Sequence, residues 1–151
     1  MLTRKLLSLA LGLATLTAFV IPSAAVAKDI ERTRISLVNT GTDADASGKA
    51  EYRLRKRKRN RISFKLEAED LDAANYDVTV GGVVQGVLDV RALANGRVEG
   101  EIEFDTKVER GHELLDFEPR GQLVTVERAG VIYLQVVFPV GTSTGGGTCP
   151  Q

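Results

Sequence analysis

Over most of the chain, apolar and polar residues alternate with a period of two. Ala50, Tyr52 and Leu54 fall on one side of the alternation, and Lys49, Glu51, Arg53 and Arg55 on the other. Ile62, Phe64, Leu66 and Ala68 interleave with Ser63, Lys65, Glu67 and Glu69 in the same way. Val98, Ile102 and Phe104 interleave with Glu99, Glu101 and Glu103. Successive side chains of a strand point to opposite faces, so each segment carries one apolar and one charged face. An antiparallel sheet with a core on one side and water on the other has this requirement.

The pattern predicts eight or nine strands, near 31–38, 48–56, 61–69, 75–80, 84–93, 97–105, 112–117, 121–127 and 131–138. Asn95-Gly96 is the strongest hairpin signal, because both residues tolerate positive φ. Arg128-Ala129-Gly130 offers a turn between the last two strands. The fold class is therefore all-β, a single-domain antiparallel β-sandwich or closed β-barrel, since inward and outward positions alternate alike in both. A short internal repeat relates Gly48–Arg53 to Gly86–Arg91, and Gly121 to a third copy, with spacings of 38 and 35 residues. It reads as successive similar hairpins. In strand 131–138 both faces are apolar: Ile132, Leu134, Val136 and Phe138 on one side, Val131, Tyr133 and Val137 on the other. Such a strand is central and covered twice, or it meets a partner.

The first 27 residues break this pattern. Arg4 and Lys5 precede an apolar run from Leu6 to Ile21, and Ala25-Val26-Ala27 forms a small-residue cleavage site. This is the three-part form of a signal peptide, and the run falls short of the roughly 20 residues that span a bilayer. The reading is an exported protein, periplasmic or secreted. It has a leader over 1–27, a β domain over 28–140, a flexible Gly/Thr-rich tail over 141–151 and no transmembrane segment in the mature chain. A 124-residue mature chain is long enough for one core. Cys149 is the only cysteine, so packing and not a disulfide must hold that core together. On its tether Cys149 could join two chains, and strand 131–138 is the other expected oligomer contact.

Charge adds a candidate surface. The mature chain loses the two leader cations from a balanced total of 20 basic and 20 acidic residues. It therefore carries a formal charge of −2, which selects no partner by itself. The distribution does: Arg55, Lys56, Arg57, Lys58, Arg59 and Arg61 crowd one predicted hairpin tip. Crowded cations repel one another and favour an anionic partner, here an anionic envelope component. No aromatic residue interrupts the run, so base stacking is not offered and no specific nucleic acid is expected. The competing reading is a solvated tip paired with Glu51, Glu67 and Glu69.

Two weaker candidates remain. Asp43, Asp45 and Ser47 ahead of Gly48 resemble the opening of a calcium loop, but position twelve is Leu54 where a bidentate Glu is required. The lone histidine, His112, has Asp116 and Glu118 downstream, which outlines a small hydrolase or metal-dependent enzyme. A metal or general-base centre wants more ligands or a positioned nucleophile. The favoured class is thus a non-enzymatic binding or structural module with no cofactor, calcium aside, and no catalytic residue assigned.

Overall fold

The computed structural model describes residues 29–56 and 60–141. The leader over 1–27, Arg57, Lys58 and Arg59 of the basic run, and the tail past Gly141 with Cys149 lie outside the described residues. The strands are β1 (Asp29–Ser36), β2 (Val38–Asn39), β3 (Ser47–Arg55), β4 (Arg61–Glu69), β5 (Asn75–Val80), β6 (Val83–Asp89), β7 (Arg91–Ala92), β8 (Val98–Asp105), β9 (Glu113–Leu114), β10 (Leu123–Arg128) and β11 (Val131–Val137). Among the described residues no helix is long and apolar enough to cross a membrane.

These strands form two sheets and do not close into a barrel. The first sheet has the order β1-β3-β4-β8-β7, with β9 pairing beside β8, and the second β2-β11-β10-β5-β6. At each corner one chain segment steps between sheets. Leu37 joins β1 to β2 and donates its N–H to the Gly48 carbonyl at 2.9 Å, and Val90 joins β6 to β7 and donates to the Ala74 carbonyl at 3.0 Å. Both residues are buried, so the corners are pinned by packing as well as by hydrogen bonds.

The alternation read from the sequence is the alternation of burial. Tyr52, Phe64, Leu66, Ala68 and Phe104 from the first sheet meet Tyr76, Val78, Val124, Val126, Leu134 and Phe138 from the second in one core. Phe64 lies at its centre, edge-on to Phe138 at 5.5 Å and to Phe117 at 6.2 Å between ring centroids. Each fully buried ring contributes about 1.5–3 kcal/mol relative to exposure.

The repeat has a different meaning from the one read in sequence. Gly48 does fall at the start of β3, but Gly86 sits inside β6, the second strand of its hairpin. Both glycines are packing residues. A Cβ on Gly86 would lie 2.7 Å from Ile102 Cδ1, and one on Gly48 would lie 2.7 Å from Leu37 Cδ1. The turn at 128–130 forms as expected, with Ala129 and Gly130 at φ 50° and 76°. Strand β11 departs from the central, twice-covered reading. Its neighbour on one side is the two-residue β2, and a bulge opposite Val126 and Glu127 breaks its alternation: Tyr133 packs edge-on against the buried Tyr76 at 5.3 Å, while Val131 and Val137 are 45% and 64% exposed. The outer side of the second sheet is mixed, with Asp77, Thr79, Thr125, Glu127 and Gln135 beside Leu123 and Val137.

Candidate anion-binding face

The outer face of the first sheet is mostly charged, and strand register orders the charges. β3 and β4 pair without slippage from Ser47 opposite Glu69 to Arg55 opposite Arg61. β1 sets Arg32 beside Arg53 and Arg34 beside Glu51. β8 sets Asp105 beside Ser63, Glu103 beside Lys65, and Glu101 beside Glu67. The basic hairpin end therefore continues inward as an arginine-rich zone, and the opposite end of the same face is acidic.

Within that zone three arginines converge on one carboxylate. Glu51 accepts from Arg32 Nη2 at 3.0 Å, lies 3.1 Å from Arg34 Nε in an ion pair, and also pairs with Arg53. Its side chain is only 7% exposed. Burial pushes the carboxyl pKa up, but the hydrogen bonds from Arg32 and Arg53 outweigh it and hold the group below the ordinary range. The cluster keeps a surplus of positive charge after pairing.

Arg61 is built into the structure. Its Nε donates to both oxygens of Asp105, at 2.9 and 2.8 Å, and its Nη2 to Glu109 at 3.1 Å. Asp105 is fully buried and also accepts from the Lys107 N–H at 2.8 Å. The Asp105 hydrogen bond holds the Arg61 guanidinium above its ordinary pKa. Of the residues assigned to the basic tip, Arg61 thus has a structural task. Arg55 lines a surface hollow of about 340 Å³ with Arg53, Arg61, Lys65 and His112, and Lys56 is exposed beyond it.

That hollow brings together two candidates that the sequence kept apart, the basic tip and His112. The companions of His112 are not Asp116 and Glu118. Its Nε2 lies 3.6 Å from Glu103 Oε2, and the ligand atoms of Glu103, Asp105 and His112 all fall within 4.8 Å of one another. Glu118 is engaged elsewhere, by Arg120 at 2.8 Å. The parallel pairing of β9 with β8 creates this grouping, and no spacing in the sequence encodes it.

Asp43 and Asp45 lie in the turn between β2 and β3. Asn39 Nδ2 ties that turn to the carbonyls of Asp43 and Ala46 at 2.6 and 2.7 Å, and Asp43 Oδ1 accepts from the Asp45 N–H at 3.3 Å. The local side-chain-to-backbone bonds of a polar turn account for this segment. Asp43 and Asp45 border a hollow with Asp70 and Asp72, while Ser47 opens β3.

Comparison with protein-family models, with curated proteins and with solved structures finds no match to this chain.

Proposed function

We propose that this chain is an exported, non-enzymatic binding module that docks on an anionic envelope surface through the basic end of its charged sheet. The observation that carries the reading is the convergence of Arg32, Arg34 and Arg53 on the single carboxylate of Glu51, directly behind Arg55, Lys56 and Arg61. Phosphate, sulfate or carboxylate groups on a repeating polyanion suit such a zone, because arginine forks bind them with two parallel hydrogen bonds. The leader over 1–27 supports export to where such surfaces lie. The uncovered valines of β11 serve as a second, protein-facing contact.

The test is binding to heparin and to vesicles rich in phosphatidylglycerol, read separately. Affinity should fall about tenfold or more between about 50 mM and about 500 mM salt. It should also fall when Arg55 and Lys56 become alanine. Absence of binding to both probes at low salt would overturn the reading.

A second reading rests on the Glu103, Asp105 and His112 grouping, whose mixed nitrogen and oxygen donors suit zinc. Arg61 already holds Asp105 and would have to give way. A melting temperature raised by zinc in the parent and not in His112→Ala would establish it, and an unmoved parent would remove it.

A further inference from the structure

Neither ring nitrogen of His112 makes a hydrogen bond among the described residues. Nδ1 is shielded from solvent and has no hydrogen-bond partner. Nε2 stands 3.6 Å from Glu103 Oε2, beyond the ordinary reach of a hydrogen bond. That separation is close to the ~3.4 Å between two ligand atoms of a tetrahedral zinc ion. Asp105 completes the group, with its ligand atom within 4.8 Å of both. A solvent-shielded polar atom without a partner calls for one, and three protein donors leave a zinc ion one open coordination position.

The hollow that holds these residues is balanced in charge. Arg53, Arg55, Arg61 and Lys65 line it with Glu51, Glu103 and Glu109, and Asp105, held by Arg61, is the fourth carboxylate. Arg53 is engaged by Glu51, Lys65 by Glu67 and Glu101, and Arg61 by Asp105 and Glu109. The hollow by itself thus holds no surplus for an anion. A divalent ion adds two positive charges, and in taking Asp105 it releases the Nε of Arg61.

We propose that the hollow binds a divalent metal and an anionic oxygen together. The metal takes Glu103, Asp105 and His112, and a phosphate or carboxylate oxygen takes the metal's open position and Arg61. The proposal rests on the anion-docking reading and on the zinc grouping, and adds that each ligand strengthens the other. Arg61 is the exchanged element. Its Nη2 donates to Glu109 at 3.1 Å, and Glu109 is 44% exposed, so the guanidinium can turn from Asp105 without leaving the hollow. Released, its fork donates to the anion. The same exchange runs in reverse: an anion that draws Arg61 away frees Asp105 for the metal, as the reciprocity of coupled binding requires.

The experiment is calorimetric titration of the protein with zinc at low salt, alone and in two further arms. One arm contains a heparin hexasaccharide, which carries carboxylates, and the other inorganic phosphate. Zinc affinity should rise about fivefold or more in at least one arm. That anion's affinity at saturating zinc should exceed its affinity in chelator by the same factor. His112→Ala and Glu103→Gln should lose the coupling and keep their metal-free heparin binding. Arg61→Ala should bind zinc more tightly than the parent, because Asp105 is no longer occupied, and should show no coupling. If Arg61→Ala fails to fold by circular dichroism, the other two variants carry the comparison. A parent that binds no zinc, a zinc affinity unchanged by both anions, or a coupling that survives His112→Ala would overturn the inference. Heparin binding in chelator is read separately. Its absence overturns the docking reading, whereas intact heparin binding beside an unchanged zinc affinity in both arms overturns the coupling alone.

Discussion

The guanidinium of Arg120 lies 4.7 Å above the ring of Tyr52 and joins the two sheets at that point. Tyr52 is buried on β3 of the first sheet, and Arg120 belongs to the loop that leads into β10 of the second. Two parallel bonds of 2.8 Å tie Arg120 to Glu118, and Nη1 reaches Glu31 of β1 at 3.3 Å. The hydrogen bonds it donates to Glu118 hold the guanidinium above its ordinary pKa, so the cation is permanent.

Arg120→Lys keeps the charge but loses both the fork and the flat contact with the ring. Such a substitution at a bidentate, stacked site is not conservative. A loss of about 1–2 kcal/mol is expected, seen as a melting temperature lower by about 5 °C. Arg91→Lys, at an exposed pair with Asp89, should leave the melting temperature unmoved.

Arg61 and Lys56 should separate stability from binding. Arg61→Ala strands the buried Asp105 carboxylate, and breaking a buried pair in this way costs about 3–5 kcal/mol. Lys56→Ala touches nothing buried. Chemical denaturation should show a large shift for the first and none for the second, while Lys56→Ala alone should weaken heparin binding.

Close approach fixes two glycines. A Cβ on Gly100 would lie 2.9 Å from the Asp89 carbonyl oxygen and from Val90 Cγ2, and one on Gly86 would meet Phe104 Cζ at 3.0 Å. At Gly100 the obstacle includes backbone, and at Gly86 it is the side chains of Ile102 and the fully buried Phe104. Gly100→Ala and Gly86→Ala should each destabilise by about 1–3 kcal/mol, measured by urea midpoint, whereas Gly82→Ala has open space and is opposed only by its φ of 81°.

Acid should loosen the charged sheet before it reaches the core. The Glu67 carboxyl is held below its ordinary pKa by the Lys65 hydrogen bond, and Glu51 by those from Arg32 and Arg53 against the pull of burial. A depressed folded-state pKa contributes stability that is present above the unfolded value, about 4.3. That stability is lost as pH falls through the folded value. Stability should therefore be flat from about pH 7 to 5 on this account and decline below about pH 4.5. Glu51→Gln should start lower and decline less steeply, and an unchanged slope would contradict the assignment.

Much of the fold was legible in the residues, strand by strand. Ala50, Tyr52, Phe64, Leu66 and Phe104 are buried where alternation put them, because a side-chain period of two is local geometry. The charged faces were equally legible, and so was the turn at Ala129-Gly130. The site was readable only in part. The basic run was visible as a cluster, but Arg32 and Arg34 were not seen as part of it, because they lie about twenty residues from Glu51 in sequence and meet it through the β1–β3 register. His112 was visible, yet its neighbours Glu103 and Asp105 arrive through the parallel contact of β9 with β8.

The sequence by itself determined which residues face inward, where the chain turns, and that one end of a hairpin is crowded with cations. These follow from the dihedral preferences of each residue and the two-fold pleat of a strand. Only the tertiary structure decided that two sheets form without closing. It also decided that Arg61 is anchored on a buried aspartate, and that arginines of β1 and β3 meet on Glu51. Those outcomes depend on which strand lies beside which and in what register, a choice made by the packing of the shared core and carried by no segment alone.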